Sequence, residues 1–231
     1  MASDRQEATV SENVFLPFKA AWRLALGVLL LWFVHAVLQS VWVRSQRVDA
    51  AAHIESQLQY YIPQSDPTGL AATLAKGTTE LIVRFKLAHL LIPARPENPD
   101  AERDMRVANA VQRGLWASFR PEITTALYST VLYVAKLGVV LSLLPLFALW
   151  LLAFAVDGFV QRYIRRACAG RESATIYHRA KLYGFKMLPP MAAVIFLCAP
   201  APLHPAAVFL PAALFSAALV RLQATYYKKY L

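Results

Sequence analysis

Apolar residues gather into four stretches of this chain, and polar residues separate them with helical spacing. The first stretch, Ala20 to Val43, is framed by Trp22 and Trp42. Twenty residues at 1.5 Å each cover about 30 Å, the hydrocarbon thickness of a bilayer, with tryptophans where an interfacial belt belongs. The run is too long for a cleaved signal peptide and no small-x-small site precedes Arg44, so it is expected to be an uncleaved signal anchor. Residues 126–156 form a second transmembrane helix, strongest from Leu137, with Lys136 expected to snorkel to its interface and Pro145 to kink it. Residues 187–203 and 205–220 are apolar but short and proline-rich. They read either as two short spans joined by the turn APAPLHP or as a re-entrant hairpin, and two spans are preferred.

Between the first two spans, residues 44–125 carry helical periodicity. Val48, Ala51, Ile54 and Leu58 share one face. Asp66 before Pro67 reads as an N-cap with proline at the first helical position, opening a helix that carries Leu70, Leu74, Leu81, Phe85 and Ile92. The stiff segment Pro93 to Pro99 follows, then a third helix capped by Asp100, and Pro121 restarts the chain as the next span. The fold expected is all-α: a polytopic integral membrane protein of about four transmembrane helices with a small helical periplasmic loop region. Residues 1–19 are expected to be a short, poorly ordered tail.

Composition agrees with this layout. Of 231 residues, 58% are hydrophobic and only 16% charged, against about 25% charged in a soluble domain, and mean hydropathy is +0.41. Two cysteines, Cys168 in a basic stretch and Cys198 in an apolar one, are not placed to pair. No Cys/His spacing suggests a metal site, so no metal or cofactor is expected.

Charge adds topology. Between Asp157 and Lys186, Arg162, Arg165, Arg166, Arg171, Arg179, Lys181 and Lys186 stand against Asp157 and Glu172. Arg221, Lys228 and Lys229 follow without acids, so residues 157–186 and 221–231 hold most of the net +10. Lys and Arg beside short spans are retained in the cytoplasm, which implies N-in and C-in. The 44–125 loop, with ten Lys/Arg against nine Asp/Glu, is long enough to translocate regardless of charge. A basic excess beside spans is explained by topology and anionic headgroups, so direct nucleic-acid binding is not expected.

Little chemistry is visible. His35 and Gln39, four apart in the first span, share a face. Their alternatives are a proton or ligand site and an interhelical hydrogen bond, and the second is preferred because no span contains an acidic partner. No P-loop, nucleophile elbow or zinc-protease motif occurs, so no catalytic residue is assigned. The dense polar cluster is Gly170 to Lys181, where Arg171, Glu172, Tyr177, His178, Arg179 and Lys181 join Arg162, Arg165 and Arg166. Arginines and tyrosines on a short helix suit an acidic partner or phospholipid headgroups. Alanine and glycine in the spans leave room for homo-oligomerisation.

The run DGFVQRYIRR…GRESATIYHRAK, the hairpin with Leu203-His204-Pro205 and the end Lys228-Lys229-Tyr230-Leu231 resemble a family of bacterial inner-membrane proteins of unknown function. Its members are encoded in integrating conjugative elements and related conjugative plasmids. The similarity is specific from about Asp157 onward and covers only the layout before that. The family usually has glycines where this chain has Ala167-Cys168-Ala169. The resemblance implies a role in conjugative DNA transfer, near a type IV secretion apparatus or its coupling ATPase, and supplies no catalytic residues. A small transporter or channel-like protein, using His35, Gln39 and the proline-broken hairpin, is the rival reading.

Overall fold

The computed structural model describes residues 2–66, 68–84, 106–168 and 174–227, without the side chains of 2–17, 64, 65, 106–120, 174, 176 and 185. The described residues are helical throughout apart from short connections, with no strand among them. Helix α1 runs Ala2–Gln46, so the segment expected to be a poorly ordered tail continues the first span as helix. It stops because Arg47 turns left-handed, φ 53°, and Asp49 then caps α2 (Ala50–Ser65) by accepting from Ala52 N–H at 3.1 Å.

Asp66 organises the start of α3 (Leu70–Arg84). The helix begins later than the Asp-Pro pair suggested: a turn through Gly69, φ 70°, comes first. The Asp66 carboxylate reaches across that turn to accept the N–H groups of Leu70 and Ala72, both at 3.0 Å. The hydroxyls of Thr68 and Ser142 donate to the same group at 3.2 and 3.3 Å. Pro67, Phe85, Ile92, Pro93 to Pro99 and Asp100 lie outside the described residues.

Helix α4, Arg106–Ala167, is 62 residues long and carries Pro121 and Pro145 inside it. The expected third loop helix and second span are therefore one element, with Pro121 absorbed and not restarting it. At 1.5 Å per residue it is about 90 Å long, three times a bilayer core, so much of it lies outside the hydrocarbon. It acts as a spine. Helix α1 lies along its first half, joined by Trp32 Nε1–H to Thr130 Oγ1 (3.1 Å), Tyr133 O–H to the Val28 carbonyl (3.1 Å) and an Arg44–Glu122 ion pair. Helices α2 and α3 pack on the same region, where Ile54, Tyr61, Ala71, Leu132, Val139 and Phe196 form the core.

After residue 173 the chain is helical from Ala174 to Cys198: α5 (Ala174–Lys181), a π-helical segment (Leu182–Met187) and α6 (Leu188–Cys198). Leu188 N–H bonds the Tyr183 carbonyl five residues back. Pro189 and Pro190 lack N–H groups just beyond, and the wider turn accommodates the register that their absence disturbs. The helix therefore runs on through the span boundary expected at residue 187, and the third membrane-length helix is Tyr177–Cys198. A non-helical turn leads to α7 (Pro205–Thr225), whose N-cap His204 accepts Ala206 N–H through Nδ1 at 3.2 Å. Among the described residues, four helices are long and apolar enough to cross a membrane: Phe18–Gln46, Pro121–Ala167, Tyr177–Cys198 and Pro205–Thr225. Leucines on the outside of α1 and α4, such as Leu30 and Leu149, are more than half exposed, as lipid-facing residues are.

Two glycines let helices touch. A Cβ on Gly138 would stand 2.6 Å from Ala71 Cα, and one on Gly158 would stand 2.5 Å from the Arg221 carbonyl, where α7 crosses α4. Gly158→Ala should therefore lower stability by about 1–3 kcal/mol, read as a lower melting temperature in detergent. Gly27→Ala, with nothing within 4 Å of the new methyl, should melt like the wild type. Asp66 gives an acid-pH test. Burial works against its ionisation, but the N–H groups of Ala72 and Ala71 and the Thr68 and Ser142 hydroxyls outweigh it and hold the carboxyl below the usual range. The stabilisation is complete above the unfolded-chain carboxylate pKa and is lost as pH falls through the lower folded value. Thermal melts below about pH 4 should show the wild type losing stability faster than Asp66→Asn.

Candidate functional site

The turn Ala199–His204 is poor in donors because Pro200 and Pro202 have no N–H and Pro205 follows. The last carbonyls of α6 consequently have no helical partner, and leaving them buried and unbonded is costly. Side chains from three other helices supply what is missing. His35 of α1 donates through Nδ1 to the Leu197 carbonyl at 2.6 Å. Lys136 of α4 donates Nζ to the Ala199 carbonyl at 2.6 Å. Gln57 of α2 donates Nε2 to the Pro200 carbonyl at 2.6 Å. Tyr61 Oη accepts the Leu203 N–H at 2.8 Å. All four side chains are buried, three of them completely.

Lys136 thus does not snorkel. Its ammonium lies 5.3 Å from the Tyr61 ring centre and 5.9 Å from that of Phe196, and the α6 carbonyl it holds lies at the negative end of that helix. His35 also touches the Tyr133 ring at 5.5 Å. Both polar atoms of buried Gln39, and Nε2 of His35, have no partner among the described residues. The shared face of His35 and Gln39 is real, but only His35 makes the interhelical bond. His53 places Nε2 2.8 Å from Gln57 Nε2.

The basic cluster lies at the other end of the bundle. Arg165 sits over the Tyr226 ring at 4.1 Å and Arg162 over Tyr227 at 5.1 Å. Tyr227 meets Tyr177 at 5.8 Å, and Tyr177 meets His178 edge-on at 5.3 Å. An Arg221–Asp157 ion pair ties α7 to α4 beside Gly158. Arg166, His178, Arg179 and Lys181 are exposed. Of the nine residues singled out here, Arg171 and Glu172 lie outside the described residues, as do Lys228 to Leu231. The structure joins Arg162, Tyr177 and His178 through Tyr227, and among the described residues shows no partner in that cluster for Arg166, Arg179 and Lys181. Among the described residues no three His, Cys, Asp or Glu side chains gather to hold a metal.

A family model described as IncC plasmid conjugative DNA transfer protein DtrJ-like matches residues 66–228. The chain belongs to the DtrJ-like family. It is a conjugation-associated family, in line with the resemblance carried by the stretch from Asp157 onward. No curated protein and no solved structure matches the chain. The DtrJ-like segment contains Lys136, the proline turn and the basic end as far as Lys228. His35, Gln57 and Tyr61 come from the part before it.

Sequence reasoning missed Lys136, Gln57 and Tyr61 as partners of the turn. The available signal was the turn itself: three prolines within six residues after an apolar helix demand donors from elsewhere. Lys136→Met should destabilise the protein by about 1–3 kcal/mol, because it orphans a buried carbonyl, and Tyr61→Phe by about 0.5–1.5 kcal/mol. Melting curves in one detergent will rank them, and equal effects would contradict the larger cost expected for Lys136→Met.

Proposed function

We propose that the chain is a non-enzymatic inner-membrane component of a conjugative DNA-transfer, type IV secretion-like system. Both termini lie in the cytoplasm, and the basic end docks a partner protein of that system, the coupling ATPase being the leading candidate. The observation that carries this reading is the organisation of the basic end. Arg162 and Arg165 are fixed over Tyr227 and Tyr226, so the aromatic framework is preordered while Arg166, His178, Arg179 and Lys181 stay open to an acidic surface. Preordering lowers the entropy lost on binding, and exposed arginines on a rigid base are common anchors of interfaces. Membership of the DtrJ-like family supports conjugation as the process.

A transporter remains the second reading because the two unpartnered amide atoms of Gln39 sit in a membrane-length helix. His35, however, has a structural task on the Leu197 carbonyl. Combining Arg166→Glu, Arg179→Glu and Lys181→Glu should cut DNA transfer by roughly tenfold or more, through lost charge complementarity, while membrane insertion stays normal. Undiminished transfer by the inserted triple variant would contradict docking through this end.

A further inference from the structure

A cleft of about 570 Å³ opens between α4 and α7, walled by Leu143, Phe147, Trp150, Phe209, Leu210 and Leu214. Its volume falls within the range of ligand sites, about 300–1,000 Å³. It follows α7 from Pro205 to Leu214, nine residues or about 13.5 Å, which is close to half the hydrocarbon thickness. Its walls belong to two membrane-length helices. The depth and lining therefore suit an acyl chain from one leaflet.

Where α2 ends and α7 begins the lining turns polar, and its two groups are different. Asp66 lines it with a carboxylate already stabilised in the charged form by the donors that cap α3. His204 lines it too, and because its Nδ1 accepts the Ala206 N–H, the ring of the neutral form carries its proton on Nε2. An acceptor charge beside an N–H donor complements an ammonium beside a phosphate. We propose that this cleft is a lipid site for phosphatidylethanolamine, with the ammonium on Asp66, a phosphate oxygen taking the His204 Nε2–H and one acyl chain between α4 and α7. An anionic phosphatidylglycerol has no ammonium for Asp66 and brings a negative charge toward it.

The test is native mass spectrometry of the full chain released from nanodiscs holding equal amounts of phosphatidylethanolamine and phosphatidylglycerol. Retention should favour phosphatidylethanolamine roughly tenfold, the ratio a single charge-assisted hydrogen bond supports. Ala213→Trp, which fills the cleft without touching either cap, should lose the retained lipid and keep the wild-type circular dichroism. Asp66→Asn, checked for folding in the same way, should level the two lipids. Equal retention of both lipids by the wild type, retention of none, or undiminished retention by Ala213→Trp would overturn the proposal. So would a photoreactive residue at Leu210 that crosslinks to protein, whether a second copy or another membrane helix, and not to lipid.

Discussion

The carbonyls that end α6 and the proline turn behind them impose the constraint on which this bundle depends. Pro200 and Pro202 cannot donate, so a hairpin of two membrane-length helices would leave Leu197, Ala199 and Pro200 with unbonded carbonyls in a buried place. The solution brings His35, Lys136 and Gln57 to one short stretch of backbone from α1, α4 and α2. Each bond also fixes a helix. The turn is therefore the junction at which the sequence-distant parts of the chain meet, and it gives a buried lysine and a buried histidine a structural task.

Helix α4 carries that constraint to the other end. Its first half holds α1, α2 and α3 around Lys136, and its second half holds α7 through the close approach at Gly158. Because α7 starts at the clamped turn and ends at Tyr226 and Tyr227, the position of those rings over Arg165 and Arg162 follows from how α7 is held along its length. The exposed Arg–Asp pair beside Gly158 adds little energy of its own. Close backbone packing and the cation–aromatic contacts set the register.

Much of the fold was legible because long apolar runs and concentrated charge are strong signals. The four membrane-length helices and the helical character of the region from Asp49 to Arg84 follow directly from periodicity. Boundaries were harder. Pro121 looked like a start because proline favours the first turn, yet α4 is helical on both sides of it and continues through. The run up to Lys186 looked like a separate basic helix because its charge changes abruptly, whereas the π-helical turn carries it straight into α6. Lys136 looked like a snorkelling residue because its neighbours in sequence are apolar. Its actual environment is built by Tyr61 and Phe196, from elements far away in the chain, which local pattern cannot show. His35 was legible as an interhelical donor, but its acceptor on the turn was not.

The docking of a partner by the basic end is the claim on which the functional account stands. It is tested most directly by a photoreactive residue in place of exposed His178, irradiated in donor cells with and without the whole conjugative element. The account predicts a discrete adduct to a protein encoded by that element, seen only when the element is present. Adducts to lipid alone, or none, would contradict it.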